Sequence, residues 1–214
     1  MRLSRPLSAN RPGEQLAACV FCGSGAGARP EYAAAARRLG ELLAGHGVRL
    51  VYGGGSIGLM GETARAALRC GGEVTGVIPE FLLRRELALK EAQDLLVVPD
   101  MHARKRLMYE RADAFIALPG GIGTLEELVE QMTWAQLGAH NRPVLLVNTL
   151  GFWDPFLQLL EHMRREAFLR PGLDASCIVA ATPEEALTLL LEAARNPGAP
   201  PQSSPERPAA PGPF

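Results

Sequence analysis

Short apolar runs along the chain alternate with longer segments in which apolar residues recur every three or four positions. The runs are bounded by Gly or Pro, which is typical of strands buried on both faces of a parallel sheet. The longer segments are typical of amphipathic helices that cover such a sheet. The pattern predicts strands at residues 17–22, 49–52, 73–78, 95–98, 114–118, 143–147 and 177–180 and helices at 31–44, 58–69, 101–110, 124–137, 153–166 and 183–194. We therefore expect one α/β domain, a Rossmann-like doubly wound parallel sheet flanked by helices.

The two ends of the chain lack this pattern. Residues 1–14 carry Arg, Ser and Pro without periodicity, and we expect them to form a flexible arm. Residues 195–214 are rich in Pro and poor in large apolar side chains, which predicts a disordered tail. The Rossmann-like domain is thus expected to span residues 15–194.

Composition and charge limit the classes of partner. The chain has 214 residues, 47% of them hydrophobic, and a formal net charge of −1, which argues against a general nucleic-acid surface. No apolar run approaches the roughly 20 residues that a membrane span requires. The first dozen residues also lack the apolar centre of a signal peptide. We expect a cytoplasmic protein that binds neither nucleic acid nor membrane.

The pair Cys19-x-x-Cys22 raises the question of a metal or redox site. Residues three apart on a strand point to opposite faces, so these two thiols cannot easily converge on one ion. The four histidines of the chain show no spacing that suits a shared metal. The sequence predicts no metal site.

Four loops are expected at the carboxyl ends of strands, where open parallel sheets bind ligands. They lie at residues 22–25, 53–56, 100–105 and 120–124. The segment 119–127, with the sequence PGGIGTLEE, carries the most information. Here a buried strand passes through glycines into a helix, whose first N–H groups and dipole favour a phosphate.

Glu127, three residues after Thr124, has two interpretations. In a capping box, Thr124 caps the helix and the Glu127 carboxylate reaches back to the N–H of the cap residue. That arrangement would not account for the Gly-Gly-x-Gly sequence before it, which favours a catalytic carboxylate. The sequence leaves both interpretations open.

Gly53-x-Gly55-x-x-Gly58 matches the dinucleotide fingerprint in letters. The fingerprint also expects an acidic residue that closes the next strand, about 20 positions further on, to bind a ribose. The sequence has only Glu80 there, beyond Pro79. A tight turn, helix packing or a mononucleotide site explains these glycines better than NAD or FAD.

The segment 100–106, with the sequence DMHARKR, places Asp100 as the cap of a helix whose first turns carry three cations. Cations at a helix start oppose the helix dipole, so local stability does not explain them. Arg106 fits a solvated face. We expect Arg104 to present its guanidinium to a ligand, where it can grip a phosphate or polarise a leaving group.

Together these segments resemble the LOG (Lonely Guy) family over about residues 15 to 194. The motifs that carry the resemblance are Cys22-Gly23-Ser24, Val51-Tyr52-Gly53-Gly54-Gly55, Met101-His102-x-Arg104-Lys105, Pro119-Gly-Gly-x-Gly-Thr-x-x-Glu127 and Thr133-Trp134-Ala135-Gln136-Leu137-Gly138. The resemblance implies a homodimeric cytokinin riboside 5′-monophosphate phosphoribohydrolase. Such an enzyme hydrolyses a nucleoside 5′-monophosphate to free base and ribose 5-phosphate without a cofactor.

The resemblance also implies which residues act. Arg104 and Glu127 fall on the catalytic positions. The substrate-binding positions fall on Ser24, Gly54, Gly55, Glu86, Arg104, Lys105, Gly120, Gly121, Ile122, Gly123, Thr124 and Glu127. Arg84 replaces a proline that plant members often carry before Arg85-Glu86-Leu87, so the base stays open between plain adenine, as in AMP, and an isopentenyladenine.

Two other functions deserve comparison. Members of this family are often labelled lysine decarboxylases, but a pyridoxal phosphate enzyme needs a Schiff-base lysine, and the chain offers only Lys90 and Lys105. A nucleotide or cofactor carrier of the same fold is the stronger alternative, because fold alone does not separate binding from catalysis. A carrier would need the glycine loops but not both Arg104 and Glu127.

Overall fold

A computed structural model describes residues 15–83, 88–89, 91–169 and 177–196. Strands and helices alternate along this part of the chain as predicted. The strands are β1 (Ala17–Phe21), β2 (Arg49–Tyr52), β3 (Val74–Pro79), β4 (Asp94–Val98), β5 (Ala114–Ala117), β6 (Val144–Val147) and β7 (Ile178–Ala180). The helices are α1 (Pro30–Gly45), α2 (Gly58–Arg69), α3 (Met101–Glu110), α4 (Ile122–Gln136), α5 (Asp154–Arg165) and α6 (Pro183–Arg195), with 3₁₀ turns at Glu80–Leu82 and Thr149–Gly151.

The seven strands form one parallel sheet in the order β4-β3-β2-β1-β5-β6-β7. The strand order runs outward from β1 in both directions, so the topological switch point lies between β1 and β5. This arrangement confirms the predicted α/β fold. It also identifies the carboxyl ends of β1 and β5 as the place where a ligand crevice opens.

Two apolar layers cover the sheet. Alternate residues of β1 point to opposite layers: Ala18, Val20 and Cys22 pack toward α1, α2 and α6. Cys19 instead packs toward α3, α4 and α5. The prediction that Cys19 and Cys22 point to opposite faces is therefore confirmed, and they cannot bind one metal ion from there.

Helix starts are set by short-range contacts that the sequence encodes. Asp100 caps α3, because its Oδ1 accepts a hydrogen bond of 2.8 Å from the N–H of Ala103. Thr182 caps α6 in the same way, with its hydroxyl accepting from the N–H of Glu185 at 3.2 Å. The Asp100 cap was predicted and is confirmed.

The predicted arm at residues 1–14 and most of the predicted tail, from residue 197 onward, lie outside the described residues. Within the described ranges, no helix combines the length and the apolar character needed to cross a membrane.

Candidate active site

The loops that follow β1 and β5 meet at the switch point. The two strands are paired up to Phe21 and Ala117, and the N–H of Gly23 then donates to the carbonyl of Pro119 at 3.1 Å. The first and last of the four loops predicted at the sheet edge are therefore in direct contact. Ser24 lies exposed in the first of these loops.

The start of α2 is closed to ligands. The N–H groups of Leu59 and Met60 donate to the carbonyl of Gly23 at 3.0 and 3.3 Å. Gly58 has a positive φ of 58°, and a methyl group built on it would lie 2.3 Å from the Ser24 carbonyl. A pyrophosphate cannot use these N–H groups while the first loop occupies them, so the fingerprint glycines serve packing here.

The start of α4 is open. The helix begins at Ile122 with Gly121 as its N-cap, and no acceptor among the described residues binds the N–H groups of Ile122, Gly123 or Thr124. A methyl group built on Gly121 or Gly123 would meet no atom within 4 Å. This end of the helix therefore offers the anion site that the sequence predicted.

Of the two interpretations of Thr124 and Glu127, the capping box does not fit the structure. Because α4 begins at Ile122, Thr124 is already its third residue, and no side chain caps the helix. Thr124 is buried instead, and a methyl group at Gly120 would lie 2.1 Å from its hydroxyl oxygen. Thr124 therefore fills the space beneath the loop and does not cap α4.

Arg104 is a buried cation, 6% exposed, on the first turns of α3. Its Nε donates to the Val77 carbonyl at 3.2 Å, and its Nη2 donates to the Gly53 carbonyl at 3.1 Å. Its Nη1 lies 3.7 Å from the sulfur of Met101. These contacts fix the guanidinium at the ends of β2 and β3 and leave other N–H groups of its five-donor fork for a ligand.

The charges of Arg104 and of the half-buried Glu127 both affect the pKa of Cys22, just after β1. Burial is the main cause that raises the pKa of the Cys22 thiol well above its usual range; the Glu127 carboxylate raises it further, and Arg104 opposes this. The same two charges act on Cys19. Arg104 on α3 and Glu127 on α4 therefore both lie within electrostatic reach of Cys22, whose thiol stays neutral.

Lys105 contacts protein carboxylates. Its Nζ donates to Glu126 at 2.5 Å and to Glu130 at 2.9 Å. Burial acts to lower the pKa of Lys105, but these two hydrogen bonds and the charges of both carboxylates raise it overall. The ammonium group is thus held in its charged form between α3 and α4.

The second glycine loop is engaged mainly with the protein. The carbonyl of Gly54 accepts from the N–H of Leu89 at 3.0 Å, and Gly55 forms an isolated bridge with Ala88. Both glycines are buried. Glu86, the remaining predicted substrate-binding residue, lies outside the described residues.

The residues that contact Arg104 and Lys105 were not predicted from the sequence. Met101 and Met60 flank Arg104, and Gly53 provides the space for it. Glu130, which binds Lys105, lies one helical turn after Glu126, and this spacing is a signal that the sequence does contain. No sequence pattern indicated that Gly53 makes room for Arg104, because the two residues are distant along the chain.

Comparison with known proteins places the chain in a family. The profile of a family described as "Possible lysine decarboxylase" matches residues 60–190. The cytokinin riboside 5′-monophosphate phosphoribohydrolase LOG of Oryza sativa subsp. japonica is 49% identical over 174 residues, which cover 81% of this chain and 72% of that protein. LOG7 of Arabidopsis thaliana, with the same enzyme name, is 47% identical over 174 residues, covering 81% and 80%.

Solved structures support the fold. The molybdenum cofactor carrier protein of Chlamydomonas reinhardtii superposes with a TM-score of 0.63 at 23% identity, covering 84% of this chain and 98% of that one. That likeness concerns the architecture alone, whereas the identity to the plant proteins extends over most of both chains. The resemblance seen in the sequence motifs is thereby confirmed, and the chain belongs to the LOG family of cytokinin riboside 5′-monophosphate phosphoribohydrolases.

Proposed function

We propose that the protein hydrolyses the N-glycosidic bond of a nucleoside 5′-monophosphate and releases the free base and ribose 5-phosphate. The enzyme names of relatives at 46–49% identity support this reaction. The observation that carries the proposal is the open start of α4 beside the convergent charges of Arg104 and Glu127. One end of this site suits a phosphate, and the other supplies a carboxylate base and a fixed cation.

The phosphate is expected to bind the N–H groups at the start of α4, where the helix dipole favours negative charge. Gly121 and Gly123 leave the approach unobstructed, since neither position has an atom near the space a side chain would fill. Binding there would hold the ribose in one orientation. Because such anchoring lowers the barrier as well as the dissociation constant, adenosine should react more slowly than AMP.

Cleavage of the glycosidic bond creates positive charge on the sugar as the base departs. The Glu127 carboxylate can stabilise that oxocarbenium-like sugar and take a proton from the attacking water. The hydroxyl of this water forms the new bond to C1′ as the bond to the base breaks. The base leaves with the bonding electron pair and takes up the equivalent of the proton that the water gave to Glu127, so that the carboxylate is restored. Arg104, held by two backbone carbonyls, can stabilise negative charge on the departing base.

The Glu127→Gln variant tests this assignment. Gln keeps the size of the side chain but cannot carry the negative charge, so we expect base release to fall by about a hundredfold or more. Free base would be measured by chromatography after incubation with AMP and with isopentenyladenosine 5′-monophosphate, with adenosine as the control for phosphate anchoring. The two monophosphates would also rank the substrates, which the sequence leaves open.

Thermal unfolding of the same variant provides the structural control. A loss of turnover in Glu127→Gln without a matching loss of melting temperature would support the catalytic role of Glu127. A variant that keeps wild-type turnover would contradict the catalytic role of Glu127. Absence of base release by the wild type from either monophosphate, together with binding of either, would favour the nucleotide-carrier alternative.

A lysine decarboxylase is a weaker hypothesis. A Schiff-base lysine must lose its proton to attack a carbonyl, whereas two carboxylates raise the pKa of Lys105. Lys90 lies outside the described residues.

We also propose a homodimer that uses the exposed side of α4. Ile122 and Val129 lie two helical turns apart, and 81% and 41% of their surfaces are exposed. Leu137, just beyond the helix, is 75% exposed. A symmetric interface would bury these apolar side chains. The cytoplasmic location stays a prediction.

A further inference from the structure

Met101 lies beside the one nitrogen of the Arg104 guanidinium that no backbone carbonyl binds. Nε and Nη2 of Arg104 donate to the carbonyls of Val77 and Gly53. Among the described residues, the only acceptor near Nη1 is the sulfur of Met101, at 3.7 Å. A thioether is a weak acceptor, so the N–H groups of Nη1 stay available to a ligand. Any change that makes Met101 a stronger acceptor would therefore act on this part of the guanidinium.

The exposure of Met101 separates it from most other methionines that the structure describes. Met60, Met108 and Met132 are buried, with at most 5% of their surface exposed. Met101 and Met163 are half-buried. An oxidant dissolved in water is thus expected to reach the sulfur atoms of Met101 and Met163 first. Met101 begins α3, three residues before Arg104, whereas Met163 lies on α5.

The two cysteines nearest the site are poorer targets for oxidation. Peroxides attack thiolates far more readily than thiols. Burial is the main cause that raises the pKa of both Cys19 and Cys22 well above its usual range, and both side chains are buried. Cys70 is exposed, but it follows the last residue of α2, at the opposite end of that helix from the site. Oxidation close to Arg104 should therefore begin at Met101.

We propose that Met101 is a redox modification site that controls the availability of Arg104. A peroxide supplies the oxygen: a lone pair of the sulfur forms a bond to one peroxide oxygen, and the O–O bond breaks. The second oxygen leaves as water after taking up the proton of the first. The sulfur loses two electrons and the peroxide gains them, and the products are methionine sulfoxide and one water.

The sulfoxide would turn a weak contact with Arg104 into a strong one. Its polar S–O bond carries negative charge on oxygen, and a hydrogen bond from a cation to such an acceptor is stronger than one to a thioether. The carbonyls of Gly53 and Val77 hold the rest of the guanidinium, so Nη1 stays within reach. The sulfoxide oxygen then competes with the ligand for the Nη1 donors. This kinetic consequence rests on the proposed hydrolysis, whereas the modification itself does not.

Treatment with hydrogen peroxide tests the proposal in the wild type, Met101→Leu and Met163→Leu. Mass spectrometry of peptides would measure the sulfoxide at each methionine, and base release from AMP would be expressed relative to each untreated protein. Wild-type activity should fall in step with the unmodified fraction of Met101, because the modified enzyme should be about tenfold slower or more. Met163→Leu, the matched control, should lose activity as the wild type does, and Met101→Leu should keep most of its activity.

Reduction distinguishes methionine oxidation from cysteine oxidation. Dithiothreitol alone reduces disulfides and sulfenic acids but leaves methionine sulfoxide unchanged. The two methionine sulfoxide reductases, one for each sulfoxide epimer, reverse the modification when a thiol reductant is present. Activity of the oxidised wild type should return with the reductases and dithiothreitol together. Full recovery with dithiothreitol alone would assign the loss to a cysteine and overturn the proposal.

Met101→Gln tests the effect of a stronger acceptor without any oxidant. The Gln side chain is of similar length and carries a carbonyl oxygen, whereas Leu offers no acceptor. Met101→Gln should therefore have a kcat/KM for AMP about tenfold lower than Met101→Leu. Thermal unfolding would check that both variants fold. Equal kcat/KM values in two folded variants would show that an acceptor at residue 101 does not affect Arg104, and would contradict the proposal.

Calorimetry of AMP binding provides a readout that needs no turnover. In Glu127→Gln, oxidation of Met101 should weaken AMP binding by about threefold to tenfold, the loss expected for one hydrogen bond. If the wild type released no base while oxidation still weakened AMP binding, the proposed hydrolysis would fail but the modification site would stand. Absence of sulfoxide at Met101 while Met163 is oxidised, or loss of activity in Met101→Leu at the wild-type rate, would overturn the proposal.

Discussion

Gly53 and Gly120 each make room for a side chain that is distant along the chain. A methyl group at Gly53 would lie 2.1 Å from Nη2 of Arg104, and one at Gly120 would lie 2.1 Å from the hydroxyl of Thr124. Gly121, by contrast, has open space beside it. Neighbouring glycines of one loop therefore have different functions: Gly120 permits packing, and Gly121 permits a ligand to approach.

Substitution of Gly53 by Ala tests the placement of Arg104. The added methyl group should push the guanidinium away from the Gly53 carbonyl that it now binds at 3.1 Å. We expect kcat for base release to fall by about tenfold or more, because the charge moves relative to the substrate. Steady-state kinetics with AMP would measure the effect.

Gly45→Ala is the control for this substitution. Gly45 ends α1, and a methyl group there meets no atom within 4 Å. The change should leave kcat at the wild-type value and slightly favour the helix. Unchanged kcat in Gly53→Ala would mean that catalysis does not depend on this position of Arg104.

At the level of elements, the same four-residue pattern has two outcomes. Thr182-x-x-Glu185 is a true helix start: Thr182 accepts from the N–H of Glu185, and the Glu185 carboxylate accepts from the N–H of Ala181 at 2.6 Å. Thr124-x-x-Glu127 has the same letters but lies inside α4. Glycines before Thr124 let that helix begin two residues earlier than predicted, with Gly121 as the cap.

Thr182→Ala should therefore destabilise the protein without affecting catalysis. Loss of the cap leaves N–H groups at the start of α6 without an acceptor, which typically costs about 1 kcal/mol. Urea unfolding would measure the loss. Thr188→Ala, the same change at an exposed position within α6, should cost less than about 0.5 kcal/mol, and an equal loss in both variants would refute the capping explanation.

At the scale of the molecule, the proposed site and a buried polar and aromatic cluster lie at opposite ends of the strands. The site occupies the carboxyl ends of the strands. At the amino ends, Arg142 lies 4.2 Å above the ring of Tyr109 and donates to the Tyr109 carbonyl at 2.6 Å. His140 is buried beside them, 5.4 Å from the ring of Phe115. This polar and aromatic cluster lies away from the proposed chemistry.

The stability of the protein should depend on pH through His140. Burial, and then the charge of Arg142, lowers the pKa of His140 from 6.5 to about 4. Between these pH values the unfolded chain binds one proton more than the folded chain, so stability should fall as the pH decreases from 6.5 to 4. The slope from this residue is at most about 1.4 kcal/mol per pH unit.

The difference in unfolding free energy between the wild type and His140→Gln separates the contribution of His140 from that of the titrating carboxylates. Urea unfolding at several pH values would measure it. The variant should show a shallower loss of stability between pH 6.5 and 4, whatever its stability at neutral pH. Parallel curves for the two proteins would contradict a buried neutral His140.

Prediction from the sequence succeeded where the signal is local. Each predicted strand and helix is present, with ends that differ by at most two residues, because strand and helix periodicities are properties of short segments. The opposite orientation of Cys19 and Cys22 follows from the same periodicity. For the site, the sequence indicated that the loops after β1 and β5 lie at one edge of the sheet, but it left open whether Thr124 caps α4, and the structure places that cap at Gly121.

Patterns within short segments of the sequence thus indicate the element types, the buried faces, the Asp100 cap and the family. Contacts between distant segments determine which glycine-rich helix start is open, which carbonyls bind Arg104 and which carboxylates bind Lys105. The physical reason is distance along the chain. The carbonyl of Gly23 closes the start of α2, and Gly53 accepts from Arg104 51 residues away, and such contacts exist only after the sheet has brought the loops together.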